Sequence, residues 1–251
     1  MYGYGYRYNS GLVLGAGGGA PFLNTYSLDF DGVDDYVYTG LNLAYTNYPN
    51  ISLSCWVKMD NASLTNYTVY NPIGVHVAAF VNSSPISLYR GTVLLGTKVH
   101  IQGAASSYGT TNISDGAWHH ILQTCQYDSA GTICNIYVDG NPTPEIANAL
   151  LRNYSPLTGN LILGAATSAF RRFIGNVDEV SVFDSILSTS DIADIYNLGT
   201  PNDLTSLNPI AWYRNGDNDT YPTIADVGSL ASNPGTMNNM TAGSIVTDVP
   251  L

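Results

Sequence analysis

Alternation of apolar and polar residues is clearest in the segment ISLSCWVKM, residues 51–59. Its odd-numbered positions are all apolar, and its even-numbered positions carry two serines, Trp56 and Lys58. Successive side chains of a strand point to opposite faces of a sheet, so the odd positions share one face. The segment therefore predicts a strand with one face against a hydrophobic core.

Short strands of this kind recur along the chain, and Gly, Pro, Asn or Asp separates nearly all of them. The further predicted strands lie in ISLYRGTVLLGTKVHI at 86–101, AWHHILQTCQYD at 117–128, TICNIYVDG at 132–140, LILGAA at 161–166, FIGNVDEVSVFD at 173–184 and IAWYRN at 210–215. The segments at 117–128 and 132–140 predict a hairpin. Many strands at this spacing predict an all-β protein, a two-sheet antiparallel β-sandwich.

One short helix is predicted in STSDIADIYNLGTP, residues 188–201. Ser188 can accept a hydrogen bond at the N-terminus, with Asp191 three residues later, which is the pattern of a capping box. Gly199 and Pro201 predict the end of the helix. A helix of about two turns needs tertiary packing for its stability, so we expect its apolar side to lie on the sandwich.

Composition narrows the possible partners. The 251-residue chain has 19 Asp and Glu against 8 Lys and Arg. Proteins that bind nucleic acid neutralise phosphates with Lys and Arg, so we expect no nucleic-acid partner. No apolar run reaches the ~20 residues that span a bilayer, so we expect no membrane insertion.

The first 24 residues, MYGYGYRYNSGLVLGAGGGAPFLN, alternate Tyr with Gly and then become rich in small residues. Two interpretations remain open for this segment: an arm that orders against a partner, and a leader without structure. It has no basic start followed by an apolar block, so we expect no secretion signal. We expect residues 25–251 to form one domain.

Five segments carry a resemblance when they are taken together and in order. They are SLDFDGVDDYV at 27–37, ISLSCWVKM at 51–59, WHHILQTCQYDSAGTICNIYVDGNP at 118–142, LILGAA at 161–166 and FIGNVDEVSVFDSILSTSDIADIYNLG at 173–199. This set resembles the laminin-G-like (LamG) branch of the concanavalin A-like lectin/glucanase superfamily. The resemblance implies a jelly roll of two antiparallel sheets packed face to face.

The C-terminal segment, residues 208–251, looks like the part that usually opens such a domain, although here it comes last. Two arrangements remain open. In one, the fold is circularly permuted, and residues 210–213 return to pair beside the first strand of the same chain. In the other, the segment completes a neighbouring subunit.

The segment SLDFDGVDDYV places four aspartates within seven residues. Asp31-Gly32 predicts a tight turn, because Asp tolerates the left-handed region and Gly has no Cβ. The resemblance adds a second interpretation, since related jelly rolls can place such an aspartate in a structural calcium site. The candidate calcium ligands are Asp31, Asp34 and Asp178, and the turn and calcium interpretations both remain open.

Catalysis is not expected. Retaining glucanases of this superfamily carry two glutamates in a Glu-x-Asp-x-x-Glu strand, about 5 Å apart on one face. The chain has only Glu145 and Glu179, and neither lies in that pattern. His119 and His120 are adjacent and alternate between faces, and no spacing of histidines predicts a zinc site.

A ligand site is predicted from aromatic and basic residues. Glycan-binding proteins use aromatic platforms, for which Trp56 and Tyr89 are the candidates. Pentraxins share the pattern IGNV…LS…I…IY of residues 174–196 and bind ligand through calcium held by acids that precede it. Here the corresponding loop, residues 164–175, has no acid and carries Arg171 and Arg172, so pentraxin-type ligand binding is not expected. Two roles remain open for these arginines: contact with an acidic sugar or an acidic patch on a partner, and a soluble surface loop.

Three cysteines do not form a disulfide framework. Cys125 and Cys134 would lie nearly opposite each other in the predicted hairpin, so a cross-strand disulfide and two small buried residues both remain open. Cys55 alternates with apolar neighbours and is expected in the core.

Two functions from different classes are compatible with these features. The first is a non-enzymatic structural and adhesive module on a virion or phage surface, such as a decoration or fibre protein. It would assemble as a homo-oligomer with other virion proteins, and it could bind cell-surface glycans. The alternative is a carbohydrate-binding, lectin-like module of an extracellular bacterial protein.

Overall fold

The structure of the protein is a computed structural model that describes residues 22–44, 46–60, 68–76, 86–90, 97–101, 107–128, 131–151, 159–167 and 170–251. In these residues the chain forms two large antiparallel sheets that share one hydrophobic core. The predicted all-β sandwich is therefore confirmed. The predicted N-terminal arm lies outside the described residues, except for Phe22, Leu23 and Asn24.

The described residues contain strands of very different length. In chain order they are β1 (Ser27–Asp31), β2 (Tyr36–Asn42), β3 (Asn50–Asp60), β4 (Thr68–His76), β5 (Ile86–Arg90), β6 (Thr97–Ile101), β7 (Ser107–Tyr108), β8 (Asp115–Asp128), β9 (Gly131–Val138), β10 (Ile146–Leu151), β11 (Asn160–Leu163), β12 (Ala165–Thr167), β13 (Phe170–Arg172), β14 (Ile174–Phe183), β15 (Ala211–Tyr213), β16 (Thr223–Ile224), β17 (Gly235–Asn238) and β18 (Ile245–Val246).

The first sheet has the order β10-β9-β8-β3-β14-β1-β18, and β15 also pairs with β14. Its strand β3 pairs with β8 over the whole length of β3, from Asn50 opposite Gln126 to Asp60 opposite Asp115, with one register shift between Lys58 and Asp60. The predicted hairpin is confirmed, because β8 pairs antiparallel with β9. The second sheet has the order β16-β17-β2-β11-β4-β5-β6-β7, and β12 pairs with β13 in a small separate ribbon.

The core lies between the inner faces of the two sheets. Alternate residues of each strand supply it, as the period of two predicts. From the first sheet it takes, among others, Leu28, Phe30, Leu53, Cys55, Val57, Met59 and Ile121, and from the second Val37, Ile73, Leu88, Val99, Leu161 and Leu163. All of these side chains are at most 2% exposed.

The predicted helix is confirmed as α1 (Thr189–Tyr196). The Ser188 side chain accepts a hydrogen bond from the Asp191 N–H at 3.2 Å, and the Asp191 carboxylate accepts one from the Ser188 N–H at 2.9 Å. This reciprocal capping box satisfies two backbone donors that a helix N-terminus otherwise leaves open. None of the helices in the described ranges is long and apolar enough to cross a membrane.

Helix α1 covers the outer face of the first sheet. Its buried residues Ile192 and Ile195 belong to a second hydrophobic cluster with Leu122, Phe183, Leu187, Leu204 and Trp212. The chain that leads into the helix is fixed to β3, since the Ser52 hydroxyl donates to the Ser185 carbonyl at 2.6 Å. Strand β3 is therefore buried on both faces, and not on one face as its alternation predicted.

The C-terminal segment pairs with strands of its own chain. β15 lies against residues 180–182 of β14, β17 pairs with β2, and β18 pairs with β1. β1 pairs with residues 174–177 of β14, so β1 and β15 follow one another along the same edge of β14. In this structure of one chain, the C-terminal segment therefore completes the sandwich of its own chain.

Candidate functional site

Two acidic side chains, Asp178 and Glu179, are buried next to each other on β14, at 0% and 3% exposure. The pairing register between β14 and β3 shifts between Asp178 and Ser181, and Glu179 has a φ of 47°. A bulge of this kind interrupts the alternation of a strand and redirects a side chain. It allows the Glu179 side chain to contact Trp212 of β15 and Arg214, which follows that strand.

Glu179 is held by two donors from the C-terminal segment. Its Oε2 accepts a hydrogen bond from Trp212 Nε1 at 2.5 Å, and its Oε1 accepts one from Arg214 Nε at 3.1 Å. Burial raises the pKa of Glu179 to about 7, although the charge of Arg214 and both hydrogen bonds favour the carboxylate. Glu179 is therefore a weaker acid than an exposed glutamate.

Asp178 is held from the opposite end of the chain. Its Oδ2 accepts a hydrogen bond from Asn24 Nδ2 at 2.8 Å, and its Oδ1 accepts one from the Glu179 N–H at 2.8 Å. Burial and the neighbouring Glu179 charge raise the pKa of Asp178 well above its usual range. These contacts fix the chain just before β1 onto β14.

Arg214 connects the acidic pair to the start of the described chain. Its Nη2 donates to Asp217 Oδ2 at 3.1 Å and to the Leu23 carbonyl at 2.6 Å. The guanidinium carbon lies 4.3 Å from the centre of the Phe22 ring, and that ring stacks on Trp212 at 6.0 Å. The side chain of Arg214 is only 13% exposed, so the guanidinium is held in one position.

These residues form one wall of a surface cleft of about 550 Å³, here called the Arg214 cleft. It is lined by Phe22, Leu23, Thr25, Tyr26, Asp203, Thr205, Trp212, Arg214, Asp217, Asn218 and Val227. Tyr26, Asp203, Thr205 and Asn218 are exposed, so an aromatic ring, a carboxylate, a hydroxyl and an amide face solvent together. A concave site with a few fixed polar groups beside apolar surface is typical of small-ligand binding.

The predicted calcium ligands are only partly brought together. Asp31 and Asp34 lie with Asp35, and one oxygen from each can be chosen so that the three lie within 4.8 Å of one another. Asp178 does not join them and is removed from the candidate set. Asp31 pairs with Ile174, four residues before Asp178 on β14, which corresponds to about 13 Å.

The acidic turn has the geometry that Asp31-Gly32 predicts. Asp31 Oδ1 accepts hydrogen bonds from the N–H groups of Val33 at 2.7 Å and Asp34 at 3.3 Å. Asp35 Oδ2 accepts one from the Asp31 N–H at 3.1 Å. These bonds involve one oxygen of Asp31 and one of Asp35. Hydrogen bonding within the turn is therefore sufficient to explain why both aspartates are there.

The predicted aromatic platform at Trp56 is corrected by the structure. Trp56 is 2% exposed, and its ring stacks on Tyr196 of α1 at 5.6 Å and lies 5.2 Å from His120. Helix α1 covers this face of β3, so the indole has no surface open to a sugar.

The other predicted ligand residues lie on two different strands. Tyr89 is on β5 of the second sheet, where its ring lies 5.1 Å from Tyr108. Arg171 and Arg172 are on β13. The Arg172 guanidinium lies over the Tyr36 ring at 5.0 Å and donates to the Asp35 carbonyl at 3.4 Å, so this arginine borders the acidic turn.

The Arg214 cleft was missed by the sequence analysis. Trp212, Arg214, Asp217 and Asn218 are concentrated in WYRNGDN, residues 212–218, and that concentration was the only local signal. Their partners lie about 30 residues away on β14 and about 190 residues away before β1. A linear pattern does not show such contacts.

A second charged cluster surrounds His119. Its Nδ1 lies 2.8 Å from Asp139 Oδ2, and its Nε2 lies 3.2 Å from Asp115 Oδ1. Burial alone would lower the pKa of His119, but the two carboxylates, Asp139 before Asp115, raise it. Asp139 also accepts the His120 N–H at 2.9 Å, so the cluster fixes the turn after β9 to β8.

Comparison with known proteins agrees with this architecture. Among solved structures, the chain resembles a candidate carbohydrate-binding protein from Bacteroides ovatus ATCC 8483, with a TM-score of 0.63 and 17% identity over 92% of this chain. The chain spans 62% of the length of that protein. It also resembles the native heptameric SAP-like pentraxin from Limulus polyphemus, with a TM-score of 0.53 and 12% identity over 89% of this chain and 100% of that one. At these identities the likeness concerns the fold alone.

Comparison of the sequence with protein-family models identifies the family. No curated protein matches the chain. The Laminin_G_3 family model, described as the concanavalin A-like lectin/glucanases superfamily, matches residues 31–193, which is more than half of the chain. The match includes both halves of the sandwich core and most of α1. The chain therefore belongs to the laminin-G-like family of the concanavalin A-like lectin/glucanases superfamily.

Proposed function

We propose that this protein is a non-enzymatic carbohydrate-binding module and that the Arg214 cleft is its ligand site. The observation that carries the proposal is the exposed wall of that cleft, where the Tyr26 ring lies with the polar side chains of Asp203, Thr205 and Asn218. Sugars present hydroxyl groups around an apolar ring face, so their binding needs hydrogen-bonding groups beside an aromatic surface. The lectin-type fold supports this class of ligand only by analogy, so the proposal depends on the residues of the cleft.

The rigid inner wall supports the same proposal. Arg214 is fixed between Glu179, Asp217 and the Leu23 carbonyl. A site whose polar groups are already ordered loses little side-chain entropy when a ligand binds. Both carboxylate oxygens of Glu179 accept hydrogen bonds, one from Trp212 and one from Arg214. Glu179 therefore stabilises the inner wall of the cleft and does not act as a nucleophile.

The test uses Asn218, which has a φ of 66° in an exposed turn. Asn218→Gly removes the amide and tolerates this backbone conformation. Asn148→Gly is the matched control, since Asn148 is also exposed, has a φ of 51° and lies on β10 outside the cleft.

The experiment is a glycan array with the labelled chain, followed by calorimetry on the sugars that bind. We expect Asn218→Gly to weaken binding about 3- to 10-fold, which corresponds to one or two lost hydrogen bonds. Asn148→Gly should bind as the unchanged protein does. An array without signal, or equal affinities of the two variants, would contradict the proposal. We expect no reducing sugar to be released from a bound glycan.

Calcium at the acidic turn is proposed only for Asp31, Asp34 and Asp35. One oxygen of Asp31 and one of Asp35 lie outside the turn hydrogen bonds, and both carboxylate oxygens of Asp34 do as well. Carboxylate oxygens are the ligands that Ca²⁺ prefers. Calorimetric titration of the chain with CaCl₂ should show binding that Asp34→Asn weakens. Heat no greater than that of dilution would exclude the site.

The virion-surface role stays a prediction, because its main support is the Tyr/Gly arm at residues 1–24. Light scattering compares the full chain with a chain that begins at Phe22, which keeps the contacts of Leu23 with Arg214 and of Asn24 with Asp178. A defined oligomer that becomes a monomer without the arm supports assembly into a particle. Two monomers, or two equal oligomers, would remove this support and leave the extracellular lectin-like module.

A further inference from the structure

Cys125 on β8 and Cys134 on β9 are direct cross-strand partners. Both side chains belong to the main core, at 5% and 0% exposure, so they lie on the same inner face of the first sheet. Both are free thiols in this structure. The third cysteine, Cys55, is on β3, where it pairs with Ile121.

Two hydrogen bonds define what kind of pair the cysteines form. Directly opposed residues of antiparallel strands alternate between hydrogen-bonded and non-hydrogen-bonded pairs. The Asp139 N–H donates to the His120 carbonyl at 2.9 Å, so His120 and Asp139 are a hydrogen-bonded pair. The register between β8 and β9 is unbroken, and the kind of pair alternates at each step along it. The pair Cys125–Cys134 is five steps from the pair His120–Asp139, an odd number, so the cysteine pair is non-hydrogen-bonded.

The pairing of β9 with β10 independently shows that the cysteine pair is non-hydrogen-bonded. The Glu145 N–H donates to the Ile136 carbonyl at 2.8 Å, so the Ile136 backbone faces β10 and not β8. Cys134 is two residues away and has the same orientation, since backbone groups along a strand alternate with a period of two.

Non-hydrogen-bonded pairs bring side chains closest. Their Cα atoms are about 4.5 Å apart, and their Cβ atoms are also at about 4.5 Å. A disulfide needs Cα atoms about 4.4–6.8 Å apart and Cβ atoms about 3.5–4.5 Å apart. We propose that Cys125 and Cys134 are a covalent modification site that closes as a cross-strand disulfide when the chain folds in an oxidising compartment.

The reaction is thiol–disulfide exchange with a small-molecule or protein disulfide. The two thiols lose their protons and two electrons and form one S–S bond, and the disulfide oxidant is reduced to two thiols. The hydrogen bond with Cys125 and then burial raise the pKa of the Cys134 thiol, so few thiolates form in the folded core. The bond therefore forms during folding, before the hairpin is covered.

The consequence is a crosslinked hairpin at one side of the sandwich. The eight residues 126–133 form the closed loop, and closing a loop of this size restricts the unfolded chain. This property goes beyond carbohydrate binding and does not depend on it, because the pair lies in the core and not in the Arg214 cleft.

The test is to refold the full chain with reduced glutathione alone or with a mixture of oxidised and reduced glutathione. Each product is then denatured, alkylated with iodoacetamide and mapped by mass spectrometry. We expect three alkylated cysteines from the reduced sample. From the oxidised sample we expect one, at Cys55, together with a peptide pair joined through Cys125 and Cys134. The oxidised protein should melt about 5–10 °C higher.

Two variants act as controls. Cys55→Ala should still form the bond, and Cys134→Ala should not. If either variant fails to fold, the peptide map of the unchanged chain decides the question alone. Three alkylated cysteines after oxidative refolding, or a bond that includes Cys55, would overturn the proposal.

Discussion

Replacing Arg214 with methionine tests how Arg214 stabilises the buried carboxylates of Glu179 and Asp217 beside the Arg214 cleft. Methionine keeps much of the apolar stem of the side chain and removes the guanidinium. Glu179 and Asp217 each lose a charged donor, and the Leu23 carbonyl loses its partner. Both carboxylates are at least 93% buried, so water replaces these contacts poorly.

The expected loss of stability follows from this burial. Removing one partner of a buried ion pair costs about 3–5 kcal/mol, and we expect about 3 kcal/mol at pH 8 because Arg214 is partly exposed. For a chain of this size that is about 6–12 °C in Tm. At pH 5 the loss should be smaller, about 1–2 kcal/mol, because a pKa of about 7 leaves Glu179 mostly protonated in the folded protein.

In the unchanged protein, the raised pKa of Glu179 makes the stability depend on pH. The folded pKa of Glu179 is above its unfolded value of 4.5, so the folded state holds more protons between these values. The contribution of this group is therefore present at acidic pH and is lost as pH rises through about 7.

Urea unfolding of the unchanged protein, Arg214→Met, Glu179→Gln and the double variant gives the coupling energy between the two side chains. We expect a coupling above about 1 kcal/mol at pH 8 and close to zero at pH 5. A loss below about 1 kcal/mol, as for an exposed ion pair, would refute the reasoning. So would a loss that is equal at both pH values.

Two further predictions concern the turn after β9. His119→Asn should lower Tm more at pH 6 than at pH 8.5, because Asp139 holds the folded pKa of His119 above its unfolded value and this contribution is lost as pH rises. Thermal melts at both pH values check it, and equal deficits would contradict it. Gly140→Ala should cost more stability than Gly116→Ala. Both glycines have a positive φ, but only at position 140 would a Cβ meet a neighbour, the Tyr196 ring. Equal urea midpoints of the two variants would contradict this expectation.

Local patterns were sufficient for many of the elements and for the fold class, but they did not indicate β4, β10 or β17. The alternation at 51–59 predicted β3, the segments around 128–131 predicted the β8–β9 hairpin, and Ser188 with Asp191 predicted the start of α1. Each of these signals depends on residues close in sequence, where backbone geometry alone links a pattern to a conformation. The family resemblance then placed the elements in two sheets.

Exposure was decided by the tertiary structure. Trp56 lies on the face of β3 opposite the core, as the alternation predicts, but α1 covers that face and leaves the ring 2% exposed. A period of two assigns side chains to faces, and it does not show whether another layer packs on a face.

The sequence by itself determined several of the long strands, the hairpin, the capped helix and the geometry of the turn at Asp31-Gly32. Only the tertiary structure decided that Asp178 lies far from that turn and beside Asn24, and that Glu179 pairs with Arg214. These contacts join the two ends of the chain across β14. The physical reason is that a binding site depends on distances in space, whereas residue patterns report only the distances along the chain that short-range geometry controls.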